Sequence, residues 1–287
     1  MAPKTPPAAY TSSSVPVARS LRFNLPADRA WDWHPLGANV VSFNNALSVF
    51  FPIGEQFFID SVRAHKESVE EGSLLAKQVR AFCNQEAFHS REHELYNDAI
   101  GLRVSVPVVE FLVGSIFFFF KRLSWALCLA GTVGLEHLTA TLGATLLMDD
   151  AKDFEGVEPH FLAIWRWHAL EECEHKAVAF DVFTQAYGSG LGAYVLRIVG
   201  FLLSQMIFML VFAPLFIFCM IRSGGFFSCR AWGALLQHHW GKNGLIRRVV
   251  PLYFSFFEYR FHPWGHDNSA EIAHEHKRLS RGDQKQS

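Results

Sequence analysis

The 287-residue sequence lacks the features of a disulfide-rich or a nucleic-acid-binding protein. Its five cysteines, at positions 83, 128, 173, 219 and 229, form no Cys-x-x-Cys pair, which argues against a disulfide framework and against a zinc ribbon. The formal net charge is −1, so there is no basic excess to attract nucleic acid. The N-terminus has no apolar run, and we therefore expect no signal peptide and a cytoplasmic protein.

Several catalytic motifs are also missing. The sequence contains no His-Glu-x-x-His, no Gly-x-Ser-x-Gly and no P-loop motif, which argues against zincins, α/β-hydrolases and P-loop enzymes. Apolar residues, in contrast, are abundant: they make up 50% of the sequence, and phenylalanine alone occurs 28 times. A chain of this length and composition can bury a large core.

The spacing of apolar residues from Val40 onward is helical rather than alternating. Ser73 suits the position before a helix and Pro159 suits the first turn of another, because both residue types are favoured there. Long helices with short connections favour an all-α fold built around a four-helix bundle. The four long helices are predicted at about residues 40–70, 74–100, 122–148 and 159–188.

Composition divides the chain into an arm, a bundle, a hydrophobic segment and a tail. The tail is rich in polar and charged residues, which predicts a solvated and partly disordered end. We expect an extended N-terminal arm at 1–38, the bundle at 39–190, a hydrophobic helix with an aromatic and basic segment at 191–265, and the tail at 266–287.

The hydrophobic segment contains a run that is long enough to contact a membrane. Residues 198–221 include no charged residue and are bounded by Arg197 and Arg222. At about 1.5 Å per residue, a helix of this length spans roughly 36 Å, enough to cross a bilayer. Gln205 and Pro214 weaken this interpretation, and a core helix or a broken hairpin in the membrane surface are the alternatives. We expect membrane contact through 198–221, at the inner face of the membrane.

Each of the four predicted helices carries an acidic residue in an apolar setting. These residues are Glu55, Glu86 and Glu136 in the first three helices, and one or more glutamates of the stretch LEECEH (170–175) in the fourth. An ionised carboxylate that is buried alone costs several kcal/mol, so such groups are paired, protonated or bound to metal.

Two of these helices also place a histidine one turn beyond the acid. Glu86 and His89 stand at i and i+3, and so do Glu172 and His175, which puts each pair on one helix face. One Glu from each of two helices and Glu-x-x-His from each of the other two is the arrangement by which four-helix bundles hold two iron or manganese ions. The candidate metal ligands are Glu55, Glu86, His89, Glu136, Glu172 and His175.

The fourth helix leaves an alternative open. Glu171 and His175, at i and i+4, could also share a face, but we prefer Glu172 because its i+3 spacing repeats that of the second helix. Glu171 is then expected on the flank of the site. Glu174 lies about 160° around the helix from Glu172 and is expected in solvent.

Two further histidines lie close to the predicted ligand face. His93 is one turn beyond His89, and His168 is one turn before Glu172. Each is a candidate for an extra ligand or for a hydrogen-bond partner of a ligand, as is Glu171. The alternative for both histidines is a buried ring that only fills the core.

Four stretches of the sequence resemble a bacterial family described as predicted metal-dependent hydrolases. They are RFNLPAD (22–28), NALSVFFPIGEQFFIDSVR (45–63), FCNQEAFHSREHELYN (82–97) and HALEECEHKAVAFDVF (168–183). The resemblance extends from about residue 20 to 265 and implies a metal-binding helical protein. More broadly, the sequence is similar to ferritin-like di-iron carboxylate proteins, which include oxygenases, desaturases and oxidases. This similarity implies the same ligand set at the six candidate positions.

Such a centre can support two kinds of chemistry. With iron it can reduce O2 and oxidise a substrate, and with zinc, manganese or iron it can activate a bridging water for hydrolysis. Carboxylates and imidazoles suit iron or manganese better than zinc, so we expect two iron ions, with manganese or zinc as alternatives.

The expected function is a non-haem di-iron oxidoreductase of the oxygenase or oxidase type. Its substrate would be hydrophobic, and lipid-like, because the Phe-rich segments 111–120 and 201–218 accompany the ligands. Such an enzyme would need an electron-donor reductase as a partner. A metal-dependent hydrolase is the alternative, and a non-catalytic, membrane-associated metal-binding protein is the second alternative.

Overall fold

The computed structural model of the chain describes residues 10–101, 106–149 and 154–286. Within these ranges all regular structure is helical and no strand occurs, which confirms the all-α prediction. The α-helices are α1 (Ala38–Arg63), α2 (Leu74–Ala99), α3 (Val106–Leu123), α4 (Trp125–Leu147), α5 (Pro159–His175), α6 (Val178–Tyr187), α7 (Leu191–Arg222), α8 (Cys229–Trp240), α9 (Leu245–Phe254) and α10 (Ser269–Gln286).

Two helices begin where the sequence predicts. The Ser73 side chain accepts a hydrogen bond from the backbone N–H of Ala76 and so caps α2. Pro159 occupies the first turn of α5, and the carboxylate of Glu158 accepts the backbone N–H groups of His160 and Phe161. Both ends satisfy donors that a helix leaves free.

Two predicted helices end earlier than expected. The first was expected to reach about residue 70, but α1 ends at Arg63, and the His65 ring donates to the Ser61 carbonyl oxygen at 2.7 Å. The fourth is divided into α5 and α6 at Lys176, whose ammonium donates to Asn268 Oδ1 at 2.7 Å. Both helix ends are accompanied by polar side-chain contacts, and the spacing of apolar residues does not predict such contacts.

The helices that carry the candidate ligands pack as two pairs. α1 lies along α2, and α4 lies along α5. The pairs meet where α1 contacts α4 and α2 contacts α5. Large rings fill the core between them, and several are less than 2% exposed, among them Phe82, Tyr96, Phe161 and Trp167. The ligand-bearing faces of all four helices therefore point to one interior.

α7 packs closely on α4 because glycines meet at their crossing. A Cβ atom on Gly200 would lie 2.4 Å from the Cβ of Ala130. A Cβ atom on Gly134 would lie 2.9 Å from the Cα of Phe201. Real Cβ atoms do not approach other atoms this closely, so the crossing depends on residues without side chains.

The N-terminal arm lies against the bundle. Tyr10, Phe23 and Trp33 are buried, and the backbone N–H of Arg19 donates to a carboxylate oxygen of Glu171 at 3.1 Å. Residues 1–9 of the arm lie outside the described ranges. The arm thus covers a side of α5 that periodicity alone assigns to solvent.

The prediction of a solvated, partly disordered tail at 266–287 is wrong for the part that the structure describes. α10 forms there, and Ile272 and Glu275 are fully buried. Glu275 accepts from Arg166 of α5 at 2.5 Å. A buried ion pair between charged residues distant in sequence explains why composition gave the opposite expectation.

α7 is the helix in the described ranges that is long and apolar enough to cross a membrane. Core helices of soluble proteins can have the same length and composition. Which side chains α7 exposes therefore says more about membrane contact than its length does.

Candidate metal centre

The six sequence-predicted ligands meet in the interior of α1, α2, α4 and α5. All of them are at most 2% exposed. Their donor atoms fall into groups of three within which the atoms lie no more than 4.8 Å apart. The groups are Glu86, Glu136 and His175; Glu86, His89 and Glu172; and Glu55, His89 and His168.

The shortest contacts between candidate ligands are those of His168 and His175 on α5. His175 Nε2 lies 3.0 Å from Glu86 Oε1, 3.3 Å from Glu136 Oε2 and 3.5 Å from Glu172 Oε2. His168 Nε2 lies 3.0 Å from Glu172 Oε1. These imidazoles therefore face carboxylate oxygens that come from α2, α4 and α5.

Small hydroxyl side chains hold two of the carboxylates. Ser90 Oγ donates to Glu55 Oε2 at 2.9 Å. Thr139 Oγ1 donates to Glu172 Oε2 at 2.5 Å. Each hydroxyl fixes one oxygen of its carboxylate and leaves the other directed at the neighbouring ligands. Sequence reasoning missed both residues, because hydroxyl side chains on helices have no spacing that marks such a role.

Most donor atoms of the centre have no hydrogen-bond partner within the described residues. Buried polar atoms in folded proteins are nearly always bonded, so this concentration of unsatisfied atoms calls for a cation. The nine atoms are Glu55 Oε1, both carboxylate oxygens of Glu86 and of Glu136, both ring nitrogens of His89, Glu171 Oε2 and His175 Nε2.

The pKa values of three of the four carboxyl groups show how unfavourable the site is for unpaired carboxylates. Burial, followed by repulsion from a neighbouring carboxylate, raises the pKa of Glu55 and of Glu86 well above the usual range. Burial raises the pKa of Glu136 to about 7. Burial alone would lower the pKa of His175, but the surrounding glutamates raise it well above its usual range. Protons thus compensate charge that a metal ion would otherwise neutralise.

His175 is held in the orientation of a metal ligand. Its Nδ1–H donates to Gln85 Oε1 at 3.0 Å. The orientation of the Gln85 amide follows from its other contacts, since Gln85 Nε2 donates to Glu174 Oε2 and to the Val17 carbonyl. The Nε2 lone pair of His175 is thereby directed at the carboxylates. Metal-ligating histidines commonly donate their second ring N–H in this way.

His93 and His168, which sequence spacing left equivalent, occupy different places. Ser48 Oγ donates to Asn97 Oδ1 at 2.8 Å, so it accepts from His93 Nδ1, 2.9 Å away. His93 Nε2 is then an acceptor for His168 Nδ1–H at 2.8 Å. Burial lowers the pKa of His93 well below its usual range, which keeps that ring neutral.

This chain of hydrogen bonds leaves His168 Nε2 facing the centre. Glu172 Oε1 is 3.0 Å away from this atom and Glu55 Oε1 is 3.8 Å away. His93 uses both ring nitrogens in hydrogen bonds to Ser48 and His168. Of the two extra histidines, only His168 therefore offers a donor atom to a metal.

Glu171 lies beside the centre. Its Oε1 accepts from Trp167 Nε1 at 2.9 Å and from Arg19 Nη1 at 3.1 Å. Its Oε2 is 3.3 Å from His89 Nε2. Burial raises the pKa of Glu171 to about 8, although Arg19 opposes this effect.

The expectation that Glu174 lies in solvent is wrong. Its side chain is fully buried and accepts hydrogen bonds from Arg19, His276 and Gln85. Periodicity assigned Glu174 to the outer face of α5 correctly, but the N-terminal arm and α10 cover that face. No pattern in the sequence links Arg19 or His276 to α5.

An apolar cavity of about 100 Å³ borders the centre. Its polar lining groups are Asn44 and the indole N–H of Trp165 together with Glu55, Thr139, His168 and Glu172. Aromatic and aliphatic side chains of α1, α4, α5 and α7 form the remaining wall, including Phe43, Phe50, Phe51, Leu135, Trp165 and Phe208. A hydrophobic molecule in this cavity would contact the candidate ligands directly.

One comparison with known proteins finds a family that matches most of the chain. A family model described as "Predicted metal-dependent hydrolase" matches residues 17–267. This range contains every residue of the candidate centre. No curated protein and no solved structure is similar enough to the chain to count as a match.

Proposed function

Because the chain belongs to the predicted metal-dependent hydrolase family, we propose that it is a metal-dependent enzyme with a dinuclear centre. The observation that carries this proposal is the convergence of buried carboxylate and imidazole atoms of Glu55, Glu86, His89, Glu136 and His175 that have no hydrogen-bond partner among the described residues. The proposed ligands are Glu55, Glu86, His89, Glu136, Glu172 and His175, and His168 is proposed as a seventh.

The grouping of the donors supports two ions rather than one. The group of Glu55, His89 and His168 shares no member with the group of Glu86, Glu136 and His175. Each group has both carboxylate and imidazole donors. The remaining group, Glu86, His89 and Glu172, contains one member of each and joins them. On this basis we propose that α1, α2, α4 and α5 form a ferritin-like bundle, in which four helices supply the ligands of two metals.

The neighbouring residues have proposed roles that follow from their contacts. Gln85 orients His175, and the His93 ring orients His168. Glu171 is placed to accept the Nε2–H of His89, so that His89 Nδ1 faces Glu172 at 3.8 Å. Partners of this kind fix the tautomer and the direction of a ligating histidine.

Carboxylate and imidazole donors fit iron or manganese better than zinc. Bound metal ions of this kind supply either a water of lowered pKa for hydrolysis or, with iron, the reduction of O2. We take hydrolysis of a hydrophobic substrate as the lead activity, because it is what the family description names. In either reaction the apolar cavity would bind the substrate and exclude water, and Glu55, His168 and Glu172 would face it.

An oxygen-dependent oxidoreductase is the second candidate, and one feature of the cavity favours it. Apart from Asn44 and the indole N–H of Trp165, the polar side chains of the wall are proposed ligands or, for Thr139, already donate to one. The described wall therefore offers only these two neutral side chains, and no cationic one, to stabilise the oxyanion of a cleaved ester or amide. Insertion of oxygen into a hydrocarbon, or its dehydrogenation, would need no such group but would need an external electron donor.

Metal analysis tests the centre itself. We expect about two iron or manganese ions per chain in protein from metal-replete cells. Glu86→Ala and Glu172→Ala should each lose most of this metal, whereas Glu94→Ala, on an exposed position of α2, should retain it. Full metal content in either of the first two variants would show that the proposed ligand set is wrong.

Turnover assays separate the two reactions. A hydrolase should cleave long-chain acyl esters with a redox-inert metal such as zinc or manganese and without a reductant. An oxidoreductase should consume O2 only in the iron form and only after reduction, at a rate that a hydrophobic substrate increases. O2 consumption by the reduced iron form, with no ester cleavage by any metal form, would replace the lead activity with the second candidate.

A further inference from the structure

α7 has one buried side and one exposed side, and both are apolar. The buried side packs on α4 and α1 through residues that include Gly200, Phe201, Phe208 and Phe212. Within the charge-free run 198–221, no charged side chain interrupts the exposed side. The large exposed side chains of α7 are Leu191, Val195, Val199, Leu202, Met206, Met209, Leu210, Ile217, Phe218 and Ile221.

A second exposed apolar helix lies next to α7. α3 exposes Val108, Phe111, Leu112, Phe118, Phe119 and Leu123. Both helices line one small cavity, to which α3 contributes Phe117 and Phe120 and α7 contributes Leu203 and Ile207. Their exposed sides therefore adjoin on the same side of the molecule, and we call the combined surface the α3–α7 face.

The α3–α7 face is too extensive for an ordinary soluble surface. α7 has 32 residues and is thus about 48 Å long. The largest apolar patch on a soluble monomer is usually a few hundred Å². A row of exposed Leu, Met, Phe and Ile side chains along such a helix, with α3 beside it, marks a surface that another apolar phase covers.

The charges around this face indicate which phase it is. Residues 182–257 contain no Asp or Glu but six Lys and Arg. Four of these cations are exposed in the last turn of α7 or in the segment that follows it, and aromatic residues before and after α7 in the sequence are exposed as well. The cations are Arg222, Arg230, Lys242 and Arg247, and the aromatic residues are Trp125, Trp240 and Tyr259.

Anionic lipid fits this pattern better than a second copy of the chain. In a symmetric dimer the same patch meets itself, so the cations of residues 182–257, a range without Asp or Glu, would face each other. An anionic bilayer attracts basic residues, and Trp and Tyr favour the boundary between headgroups and acyl chains.

The packing of α7 determines how it can meet a bilayer. Gly200 contacts α4 so closely that no side chain fits between them. Gln205 Nε2 donates to the Gly134 carbonyl, and Arg197 Nη2 donates to the Glu258 carbonyl at 2.7 Å. Near the C-terminal end, Ser223 Oγ lies 3.1 Å from Ser42 Oγ of α1. Both ends and the middle of α7 are thus attached to the bundle, which prevents it from crossing a bilayer alone.

We propose that the α3–α7 face docks on the surface of an anionic lipid bilayer, with α7 parallel to the membrane plane. Its exposed side chains enter the boundary between headgroups and acyl chains, and the exposed cations contact lipid phosphates. The proposal does not depend on which reaction the metal centre catalyses. It replaces the spanning interpretation of 198–221 with a peripheral one.

Vesicle flotation of the full-length protein tests the proposal. The protein should float with phosphatidylcholine vesicles that contain phosphatidylglycerol and less with phosphatidylcholine alone, and added salt should weaken the binding. Leu202→Glu and Met206→Glu should each lower the partition coefficient about tenfold, because a carboxylate would enter the apolar boundary. Leu95→Glu is the matched control, since Leu95 is 48% exposed on α2.

Three outcomes would overturn the docking proposal. The first is that Leu202→Glu and Met206→Glu bind vesicles as well as Leu95→Glu does. The second is that the wild type does not bind vesicles and forms dimers that the two substitutions dissociate, which would identify a second copy as the occupant. The third is resistance to carbonate extraction together with protease-accessible sites on both sides of the membrane, which would show that α7 spans it.

Two measurements keep this test independent of protein folding and of the metal-centre proposal. Metal content should be unchanged in Leu202→Glu and Met206→Glu, since neither residue touches the centre. Adding vesicles to the wild type should slow amide hydrogen exchange in α3 and α7 but not in α2. An equal change in all three helices would contradict docking. Vesicle binding without metal would refute only the proposed function.

Discussion

Arg19 reaches from the N-terminal arm to two buried carboxylates of α5. It donates to Glu171 Oε1 at 3.1 Å and to Glu174 Oε1 at 2.7 Å, and both glutamate side chains are fully buried. Removing one partner of a buried ion pair leaves uncompensated charge, which usually lowers the free energy of unfolding by about 3 to 5 kcal/mol.

We therefore expect Arg19→Met to lower the free energy of unfolding by about 3 kcal/mol or more, measured by urea denaturation. Lys121→Met is the control, because the Lys121–Asp60 pair is partly exposed and should contribute no more than about 1 kcal/mol. Equal effects of the two substitutions would mean that the arm does not hold Glu171 and Glu174 as the structure shows.

His239 connects acidity to stability. Burial lowers the pKa of its ring to about 4, and the neighbouring His238 adds to this effect. Its Nε2 is buried and has no hydrogen-bond partner in the part of the chain that the structure describes, and its ring lies against Phe43. In the unfolded chain a histidine has a pKa of about 6.5, so the unfolded state binds the proton first as pH falls. Stability linked to His239 is present above about pH 6.5 and is lost as pH falls towards 4.

His239→Gln should remove this dependence. Between pH 7 and pH 5, the wild type should lose roughly 1 to 2 kcal/mol of unfolding free energy more than the variant does. The exposed His274→Gln variant should behave as the wild type. Denaturation curves of the three proteins at both pH values measure the difference, and parallel losses in all three would argue against a neutral, buried His239.

Individual site residues were predictable where helix periodicity decides their position. The i, i+3 spacing of Glu86 with His89 and of Glu172 with His175 placed these side chains on one face, and the structure brings them together. Which of His93 and His168 offers a donor atom to the centre was not predictable. It depends on the hydrogen bonds of His93 with Ser48 of α1 and of Ser48 with Asn97 of α2. The burial of Glu174 was not predictable for the same reason, because it depends on contacts with the N-terminal arm.

At the scale of helices, the crossing of α4 and α7 tolerates added side-chain volume least. Gly200→Ala would place a methyl group within 2.4 Å of the Ala130 Cβ and 2.7 Å of the Ala130 carbonyl carbon. Because backbone atoms cannot move as a flexible side chain can, we expect a loss of about 1 to 3 kcal/mol in unfolding free energy.

The same substitution at Gly233 should have the opposite sign. Gly233 lies within α8, and a Cβ atom there would meet nothing within 4 Å. Alanine has the higher helix propensity, so Gly233→Ala should raise the unfolding free energy by up to about 1 kcal/mol. Thermal unfolding of both variants is the measurement. A neutral Gly200→Ala would show that α4 and α7 are farther apart than the structure has them.

Helix ends were predictable to the extent that they use local signals. The Ser73 cap and Pro159 lie next to the helices that they start, so their effect is visible in a short window. The break at Lys176 and the helix of the tail depend on partners far away in sequence, Asn268 and Arg166. Local composition does not reveal contacts between residues that are distant in sequence. It therefore predicted a continuous helix and a solvated tail.

At the scale of the whole molecule, the proposed metals should stabilise the fold. A ligand that binds only the folded state stabilises it by about 2.7 kcal/mol at a free concentration of 100 Kd. Removing metal would also restore repulsion among Glu55, Glu86, Glu136 and Glu172. Incubation with a chelator should therefore lower the melting temperature of the wild type, and added iron or manganese should restore it.

Glu86→Ala provides the control for this experiment. It lacks a proposed ligand, so the chelator should change its melting temperature little. Differential scanning calorimetry on both proteins measures the effect. The wild type must be shown to contain metal beforehand. If chelation then leaves its melting temperature unchanged, the metal does not stabilise the bundle.

The overall architecture was partly predictable because the candidate ligands repeat from helix to helix. One candidate acid in each of four long helices indicated a four-helix arrangement, and in the structure α1 packs with α2 and α4 with α5. The side on which α7 lies was not predictable, since its buried and exposed sides are equally apolar. The glycine contacts with α4 and the hydrogen bonds of Arg197, Gln205 and Ser223 distinguish the two sides.

Phe50 and Leu135 line both the cavity at the metal centre and the cavity between α3 and α7. If the face docks as proposed, these two side chains separate the catalytic cavity from the acyl chains of the bilayer. The effective substrate concentration is then a mole fraction in two dimensions rather than a concentration in water. Adding inert lipid at constant total substrate should slow turnover of a membrane-partitioned substrate and leave a water-soluble short-chain analogue unaffected. Equal rates at all lipid ratios would indicate that substrate arrives from the aqueous phase.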